Sequence, residues 1–443
     1  MYNTERKNCI MTNKTIILSI DALQTEDLKV LAGEPVFSGI LKRAAVVENI
    51  REVYPTLTNV NHVSIITGVT PDRHGVFHNM APFVPPKDVR WNLIGQNWFW
   101  RKDSIKVPTL VDAAKEKGYV TACVSWPSMG GRTPDYNLAE VWSQTKGTLR
   151  ETYEAACTQN VLDLYYDRYI APFNFGRSID IDSFIVPVAA DIIRQFKPDL
   201  LLAHVICLDY CRHKSGNNSP LVKDVLKRVD AMVGTLLEAA REAGTYENTN
   251  FFLLGDHGQM DIRESFNLNV ALKEHGLVTT DGAGSALDYE AYSFSAGFST
   301  QIILKDPTDP VLEEKVLHAL TEIQQDYPQY IERIYTREEV LLEEGLAGTF
   351  SFVVEGAEGI CFENAFDGPL VLSTMDPDYR SYRSNHGYHP SKGPKPPLIA
   401  FGPDIREGAV IRGASVLEEC PTFAKALGLD MHDLMGQPLD IFK

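Results

Sequence analysis

The stretch Thr15-Ile-Ile-Leu-Ser-Ile20 is a short apolar run that is rich in β-branched residues. Such a run is typical of a strand that is buried within a parallel sheet. Two similar runs occur later in the chain, Asp199-Leu-Leu-Leu-Ala-His-Val-Ile-Cys-Leu208 and Asn250-Phe-Phe-Leu-Leu254. The aspartates that follow the three runs are Asp21, Asp209 and Asp256. We therefore predict three parallel strands, each with a carboxylate near its carboxyl end.

Helical segments alternate with these strands. The segment from Val107 to Gly118 has a proline near its start and a glycine at its end, which is typical of a helix. The segment from Pro220 to Gly244 carries an apolar stripe at helical spacing. This alternation predicts an α/β fold in which a doubly wound, mostly parallel sheet is flanked by helices.

The alternation stops between residues 259 and 385, which indicates an inserted α+β lobe. The sheet pattern resumes at Pro397-Leu-Ile-Ala-Phe401. We therefore predict a catalytic core built from residues 1–258 and 386–443, interrupted by a cap lobe of residues 259–385. The elements predicted within the lobe are a strand at Thr300–Leu304, a helix at Val311–Gln325 and a strand at Phe352–Glu355.

The composition is ordinary for a soluble globular enzyme, with 44% hydrophobic and 23% charged residues among 443. The net charge of −17 disfavours partners such as nucleic-acid polymers and anionic membranes. The first apolar run, Ile16 to Ile20, is too short for a signal peptide or a membrane span. We therefore expect a cytoplasmic protein without a membrane span, and leave open whether it is a monomer or a homodimer.

A second informative segment is Tyr54-Pro-Thr-Leu-Thr58, which precedes a predicted helix. A hydroxyl at the start of a helix lies beside free backbone N–H groups and positive dipole, where an anion would bind. A threonine becomes a useful nucleophile only when it is activated, for example by a bound metal ion. Thr58 is therefore a candidate nucleophile, and the alternative is that it only caps the helix.

Histidines accompany the three strand-end aspartates. His213 follows Asp209 by four residues, His257 is adjacent to Asp256, and His386 lies beyond the predicted lobe. Three carboxylates at one sheet edge would repel each other unless cations lay between them. Mixed nitrogen and oxygen ligands favour Zn²⁺, with Mn²⁺ as an alternative.

These motifs together resemble the alkaline phosphatase superfamily, in particular its nucleotide pyrophosphatase/phosphodiesterase branch and the related phosphonoacetate hydrolases. The matching pieces follow one another in the family's order over nearly the whole chain. They are Ser19-Ile-Asp21, Tyr54-Pro-Thr-Leu-Thr58, Asn61-His62, Thr67-Gly68, His74-Gly75, Asn79, Asp209 with His213, Gly255-Asp-His-Gly258, Asn385-His-Gly-Tyr388 and Pro397-Leu-Ile-Ala-Phe-Gly-Pro403.

The resemblance implies a site for two zinc ions and hydrolysis through a phosphothreonine at Thr58. The Asn79 amide and the Thr58 backbone N–H would hold a non-bridging oxygen of the phosphoryl group. The implied ligands of one ion are Asp209, His213 and His386, and those of the other are Asp21, Asp256, His257 and the Thr58 oxygen.

The identity of the substrate is less constrained. The phosphodiesterases usually carry an aromatic residue directly after the nucleophile, whereas this chain has Asn59. Asn59, and the pair Asp209-Tyr210 with His213-Lys214, look closer to the phosphonoacetate hydrolases. We therefore predict a hydrolase of small phosphodiesters or pyrophosphates of the nucleotide type. The alternatives are a phosphonate hydrolase with the same metals and, in another class, an inactive metal-stabilised binding protein.

Candidate substrate contacts besides Asn79 are Asn59, Trp98 and Lys214. Trp98 belongs to an aromatic group that could line the mouth of the site, although the core of a small cap is the simpler expectation. For Lys214 the simpler expectation is a solvated surface lysine. We expect structural roles for the remaining histidines of the first half of the chain, with His62 and His74 also able to orient the nucleophile loop. They are His62, His74, His78 and His204.

Overall fold

A computed structural model describes residues 13–82, 98–141, 149–173, 180–281 and 286–443. Its centre is an eight-stranded sheet. The strands in chain order are β1 (Lys14–Ile20), β2 (Ala45–Arg51), β3 (Thr121–Val124), β4 (Tyr136–Leu138), β5 (Leu200–Val205), β6 (Thr249–Leu254), β7 (Met260–Asp261), β8 (Glu264–Phe266), β9 (Val278–Thr280), β10 (Ala286–Tyr289), β11 (Ala291–Ser295), β12 (Ser299–Leu304), β13 (Ile331–Thr336), β14 (Phe352–Gly356), β15 (Ile360–Phe362), β16 (Val371–Ser373), β17 (Ser384–Asn385), β18 (Leu398–Phe401) and β19 (Val410–Ser415).

The central sheet has the strand order β19-β2-β18-β6-β1-β5-β3-β4. All neighbouring strands are parallel except for the two pairs that β18 makes with β2 and β6. Helices flank the sheet, so the predicted α/β fold with a mostly parallel sheet is confirmed. The segment predicted to resume the sheet does form β18, but it runs against its neighbours.

The helices in chain order complete the fold. Hydrophobic clusters pack on both sides of the sheet, because neighbouring side chains of a strand point to opposite faces: Leu18 joins one cluster and Ile17 the other. The helices are α1 (Leu28–Leu31), α2 (Pro35–Leu41), α3 (Thr58–Thr67), α4 (Pro71–His74), α5 (Leu110–Glu116), α6 (Leu149–Ala156), α7 (Gln159–Tyr165), α8 (Asp182–Phe196), α9 (Cys207–Ser215), α10 (Pro220–Glu242), α11 (Leu268–Glu274), α12 (Pro310–Asp326), α13 (Arg337–Glu344) and α14 (Glu419–Leu427).

The carboxyl ends of β1 and its two neighbours lie at one edge of the sheet. β1 pairs with β5 on one side and β6 on the other, so Ser19 is level with both His204 and Leu254. This register brings the residues that follow β1 and β6 together. Asp21 and Asp256 therefore meet at the same edge, as the apolar runs predicted.

The strand predicted for residues 199–208 is shorter than expected. β5 ends at Val205 and α9 begins at Cys207, so Asp209 lies in the first turn of a helix. The cause is Asp182 of α8, whose carboxylate accepts hydrogen bonds from the backbone N–H groups of Ile206 (3.0 Å) and Cys207 (2.9 Å). These groups would otherwise lack partners at a buried helix start.

The residues between β6 and β18 form several smaller sheets. The largest has four antiparallel strands in the order β11-β12-β14-β13, and the others are β15-β8-β16, β10-β9 and β17-β7. A separate hydrophobic cluster packs this sheet against α12, with Ile302, Leu320 and Val354 at less than 1% exposure. These elements fit the predicted α+β insertion, while its limits at residues 259 and 385 remain a prediction.

None of the helices in the described ranges combines the length and the apolar character that a membrane crossing requires.

Candidate active site

The structure brings the six predicted metal ligands together in two groups. The first group is Asp21, Asp256 and His257, and the second group is Asp209, His213 and His386. Within each group one ligand atom per residue lies within 4.8 Å of the others. All six residues are shielded from solvent, and each is at most 8% exposed.

The first group forms where β1 and β6 end. The Nε2 atom of His257 lies 3.4 Å from Oδ1 of Asp21 and 3.2 Å from Oδ2 of Asp256. The Thr58 hydroxyl oxygen lies 3.1 Å from the same Nε2 atom. The predicted nucleophile therefore borders the first group directly.

The second group is built on α9 and on the segment that follows the extra sheets. Asp209 and His213 are one helical turn apart, so their side chains share a face of α9. The Nε2 atom of His213 lies 3.3 Å from Oδ1 of Asp209, and that of His386 lies 3.9 Å from it. The rings of His386 and His257 stack with their centroids 4.0 Å apart, so the two groups adjoin.

The hydrogen bonds of the histidines suit metal binding. A histidine ligand usually donates its second ring N–H to a carbonyl or carboxylate, which fixes the ring and leaves the other nitrogen for the ion. Here Nδ1 is the engaged nitrogen in all three cases, and Nε2 faces the carboxylates. The acceptors are the carbonyls of Ser384 for His213 (2.8 Å), Thr56 for His386 (3.1 Å) and Gly258 for His257 (3.2 Å).

The carboxylates also suit a bound cation. Oδ1 of Asp21 and Oδ2 of Asp256 are buried, and neither has a hydrogen-bond partner among the described residues. A buried carboxylate without a partner is costly, and a coordinated ion removes that cost. Nitrogen and oxygen ligands in these numbers fit Zn²⁺ or Mn²⁺ better than Ca²⁺ or Mg²⁺.

The pKa values reflect this crowding of charge. Burial, followed by the repulsion of Asp209 and Asp256, raises the pKa of Asp21 well above its usual range. Burial also raises the pKa of Asp256. Burial would raise the pKa of Asp209 as well, but His213 outweighs it and the pKa is lowered. Burial lowers the pKa of His257 to about 4, which keeps its imidazole neutral and able to bind a metal.

Thr58 is the first residue of α3, and the N-cap position belongs to Leu57. The described contact of the Thr58 hydroxyl is with His257 rather than with a backbone N–H group of the helix. The alternative interpretation of Thr58 as a simple helix cap is therefore wrong. Its hydroxyl is placed between the helix N-terminus and the first group.

Asn79 lies beside the same helix start. Its Oδ1 atom accepts a hydrogen bond from the backbone N–H of Asn59, at 2.9 Å. In the described parts of the chain, the Asn79 Nδ2 group has no hydrogen-bond partner. Because Oδ1 is fixed, the Nδ2 group of Asn79 remains as a donor next to Thr58.

Two predicted substrate contacts have different placements. Asn59 is completely buried, and its Nδ2 group donates to the carbonyl of Phe99 (3.1 Å) and the hydroxyl of Ser128 (2.9 Å). The Asn59 side chain therefore joins the start of α3 to the segments that carry Phe99 and Ser128. This placement does not support the predicted contact of Asn59 with substrate. Trp98 is half-buried and forms an isolated β-bridge with Met80, so its substrate contact remains a prediction.

His204, for which we expected a structural role, contacts a predicted metal ligand. Its Nε2 atom lies 3.3 Å from Oδ2 of Asp21. Burial alone would lower the pKa of His204, but Asp21 and Glu140 outweigh it and raise the pKa well above its usual range. This contact follows from the pairing of β5 with β1, which places His204 level with Ser19 and therefore near Asp21.

His62 supports both the nucleophile and the first group. Its Nδ1 atom donates to the carbonyl of Thr58 and its Nε2 atom accepts from the hydroxyl of Ser19, each at 2.8 Å. Nδ1 also lies 3.4 Å from Oδ2 of Asp256. With His204 and Asp256, His62 forms a third potential metal group. Because both ring nitrogens already have protein partners, we interpret His62 as an orienting residue.

The segment before Thr58 is joined to the segment that carries His386. The Thr56 carbonyl accepts from Nδ1 of His386 (3.1 Å) and from the backbone N–H of Gly387 (3.0 Å). Gly387 has a φ of 83°, and a Cβ atom there would lie 1.6 Å from the carbonyl oxygen of Ala296. Only glycine fits at position 387, because the Ala296 carbonyl approaches so closely there.

Comparison with known proteins agrees with this geometry. A family model described as "Type I phosphodiesterase / nucleotide pyrophosphatase" matches residues 15–394. Human ectonucleotide pyrophosphatase/phosphodiesterase family member 1 is 26% identical over 253 residues, which are 56% of this chain and 24% of that protein. The bis(5'-adenosyl)-triphosphatase ENPP4 of Pongo abelii is 22% identical over 274 residues, which are 60% of this chain and 52% of that protein.

Solved structures show the same fold. An inactive variant of murine ectonucleotide pyrophosphatase/phosphodiesterase 5 in complex with AMP aligns with a TM-score of 0.68 and 17% identity. The alignment covers 97% of this chain and 100% of that one. The alignments with the two curated relatives, by contrast, cover about half of their length or less. Since the family model spans most of the sequence, the chain belongs to the type I phosphodiesterase/nucleotide pyrophosphatase family of the alkaline phosphatase superfamily.

Proposed function

We propose that this protein is a metal-dependent hydrolase that cleaves phosphodiester or pyrophosphate bonds in small molecules of the nucleotide type. The observation that carries the proposal is the position of the Thr58 hydroxyl. The hydroxyl lies at the N-terminus of α3. It is 3.1 Å from Nε2 of His257, which belongs to the first group. A nucleophile, an anion-binding helix start and a set of metal ligands therefore share one place.

The two groups of ligands would hold two divalent ions, which we propose to be Zn²⁺, with Mn²⁺ as the alternative. Asp21, Asp256 and His257, together with the Thr58 oxygen, would hold one ion, and the second group would hold the other. When bound, such ions supply charge neutralisation at the phosphoryl oxygens and acidify the threonine hydroxyl.

Thr58 would attack the phosphorus atom of the substrate. A bond forms between Oγ1 of Thr58 and phosphorus while Oγ1 loses its proton to solvent, and the bond from phosphorus to the leaving oxygen breaks. A water molecule then attacks phosphorus, the bond between phosphorus and Oγ1 breaks, and a proton from the water restores the Thr58 hydroxyl. The product of this second step is a phosphate monoester. His62 holds the Thr58 carbonyl, and thereby the start of α3, in place during both steps.

Asn79 would hold a non-bridging oxygen of the phosphoryl group through its Nδ2 group. We expect Asn79→Ala to lower kcat by about 10²–10³-fold, which is typical for the loss of one such donor. Steady-state kinetics on a nucleotide ester would measure the loss. Asn79→Asp keeps an acceptor for the Asn59 N–H group but removes the donor. If this variant were as active as the wild type, the role of Asn79 would be limited to accepting the hydrogen bond from the Asn59 N–H group.

A substrate panel tests the reaction class. The protein is stripped with a chelator, reloaded with Zn²⁺ and given bis(p-nitrophenyl) phosphate, p-nitrophenyl phosphate, a nucleotide diester, a dinucleotide and phosphonoacetate. We expect the diesters to be hydrolysed faster than the monoester. Release of phosphate from phosphonoacetate, with little turnover of the esters, would instead identify a phosphonate hydrolase. Binding without any turnover would identify an inactive binding protein.

A further inference from the structure

Lys214 is a positively charged residue next to the second group. It directly follows His213 on α9, and its side chain is exposed. Its Nζ atom lies 4.9 Å from the ring centroid of Tyr382 and 5.8 Å from that of Tyr210. Within the described ranges, Lys214 forms no ion pair with a carboxylate. Although the chain has a net charge of −17, the ammonium group of Lys214 contacts aromatic rings rather than a carboxylate of the described residues.

The position of Tyr382 is fixed by the backbone around it. Its ring stacks on that of His213 with the centroids 4.2 Å apart. The next residue, Arg383, donates its backbone N–H to the carbonyl of His213 at 2.7 Å. The carbonyl of Ser384 accepts from Nδ1 of the same histidine at 2.8 Å. Tyr382 is nevertheless 40% exposed, so its ring extends from the buried His213 to the protein surface.

The location of Lys214 relative to Thr58 suggests which part of a substrate it meets. In phosphoryl transfer the attacking and leaving oxygens are roughly in line, on opposite sides of phosphorus. Thr58 contacts the first group through His257, whereas Lys214 and Tyr382 adjoin the second group through His213. The leaving part of the substrate would therefore extend toward Lys214.

We propose that Lys214, held by Tyr382 and Tyr210, binds an anionic phosphoryl group on the leaving part of the substrate. This inference rests on the function proposed above. It assigns Lys214 as a residue that determines specificity, favouring substrates whose leaving part carries a phosphoryl group over diesters whose leaving part is uncharged. The alternative is that Lys214 is a solvated surface lysine that only contacts the ring of Tyr382 and does not meet the substrate.

Two substrates with the same nucleotidyl part separate these alternatives. The leaving part of thymidine 5'-triphosphate carries negatively charged phosphoryl groups in the bound substrate, whereas the aryl group of the p-nitrophenyl ester of thymidine 5'-monophosphate carries no charge until it departs. We expect Lys214→Gln to lower the ratio of kcat/KM for the triphosphate to kcat/KM for the ester by about tenfold, the effect of one charge-assisted contact. Lys214→Arg should restore most of the ratio, and Lys223→Gln, at an exposed position of α10, should leave it unchanged.

Binding of inorganic pyrophosphate supplies a readout that does not require turnover. Calorimetry on the Zn²⁺-loaded protein should show about tenfold weaker binding for Lys214→Gln than for the wild type. Equal affinities, or an unchanged ratio of kcat/KM values, would overturn the role of Lys214. A wild-type protein that hydrolyses neither thymidine compound would instead contradict the proposed function. In that case the pyrophosphate measurement would still decide the role of Lys214.

Discussion

Replacing Thr58 with alanine should abolish hydrolysis and leave the fold and the metal content unchanged. The reason is that Oγ1 of Thr58 is the proposed attacking atom, and the six charged or imidazole ligands remain in place without it. We expect kcat to fall on the order of 10³-fold or more, as when other enzymes lose their nucleophile. Steady-state rates, metal analysis and thermal unfolding of the same preparation would measure the three quantities.

Thr58→Ser is the matched control, because it keeps the hydroxyl and removes only a methyl group. This variant should retain measurable turnover and should accumulate a covalent phosphoprotein under the same conditions as the wild type. Full activity of Thr58→Ala would show that another group attacks phosphorus. Loss of metal from Thr58→Ala would show that the threonine is needed to build the site rather than to react.

Removal of the metal ions should abolish activity and destabilise the fold, most strongly at alkaline pH. The pKa values of Asp21 and Asp256 are raised in the folded chain by burial, and neighbouring aspartates add to the rise. In the unfolded chain both groups titrate near their ordinary value of about 4. These two carboxyl groups therefore bind more protons in the folded state above that pH, and their contribution to the free energy of unfolding of the metal-free protein falls as pH rises.

Thermal unfolding of stripped and reloaded protein between about pH 5 and about pH 8 would measure this effect. The difference in Tm should widen toward the alkaline end. Asp256→Asn, which removes one buried charge, should raise the Tm of the metal-free protein at about pH 8 by ~2–4 °C while weakening metal binding. A gain in Tm from Asp256→Asn that is no larger at about pH 8 than at about pH 5 would contradict this account.

The strand-end aspartates could be predicted from the sequence because their signal is local. Asp21 and Asp256 follow apolar runs, and parallel strands end at one edge. The place of Asp209 was predicted less well. Its apolar run continues past the end of β5, and the helix that begins there is supported by the distant Asp182, which accepts hydrogen bonds from the backbone N–H groups of Ile206 and Cys207.

Contacts between distant segments could not be predicted. The approach of His204 to Asp21 depends on the register of two strands that lie far apart in the sequence. The burial of Asn59 depends on Phe99 and Ser128, which no spacing rule connects to it. His386 is separated from the other candidate ligands by the extra sheets, and no spacing rule places it beside them. In each case the missing information is the three-dimensional neighbour rather than the residue type.

The hydrogen bonds that the Thr56 carbonyl accepts from His386 and Gly387 have a consequence for how this architecture can diversify. They tie the loop that precedes Thr58 to the segment that follows the extra sheets. The two ends of the sequence between β6 and β18 are also joined to each other, because β7 pairs with β17. We therefore expect that the extra sheets can change in evolution without altering the spacing between Thr58 and the two groups of candidate ligands.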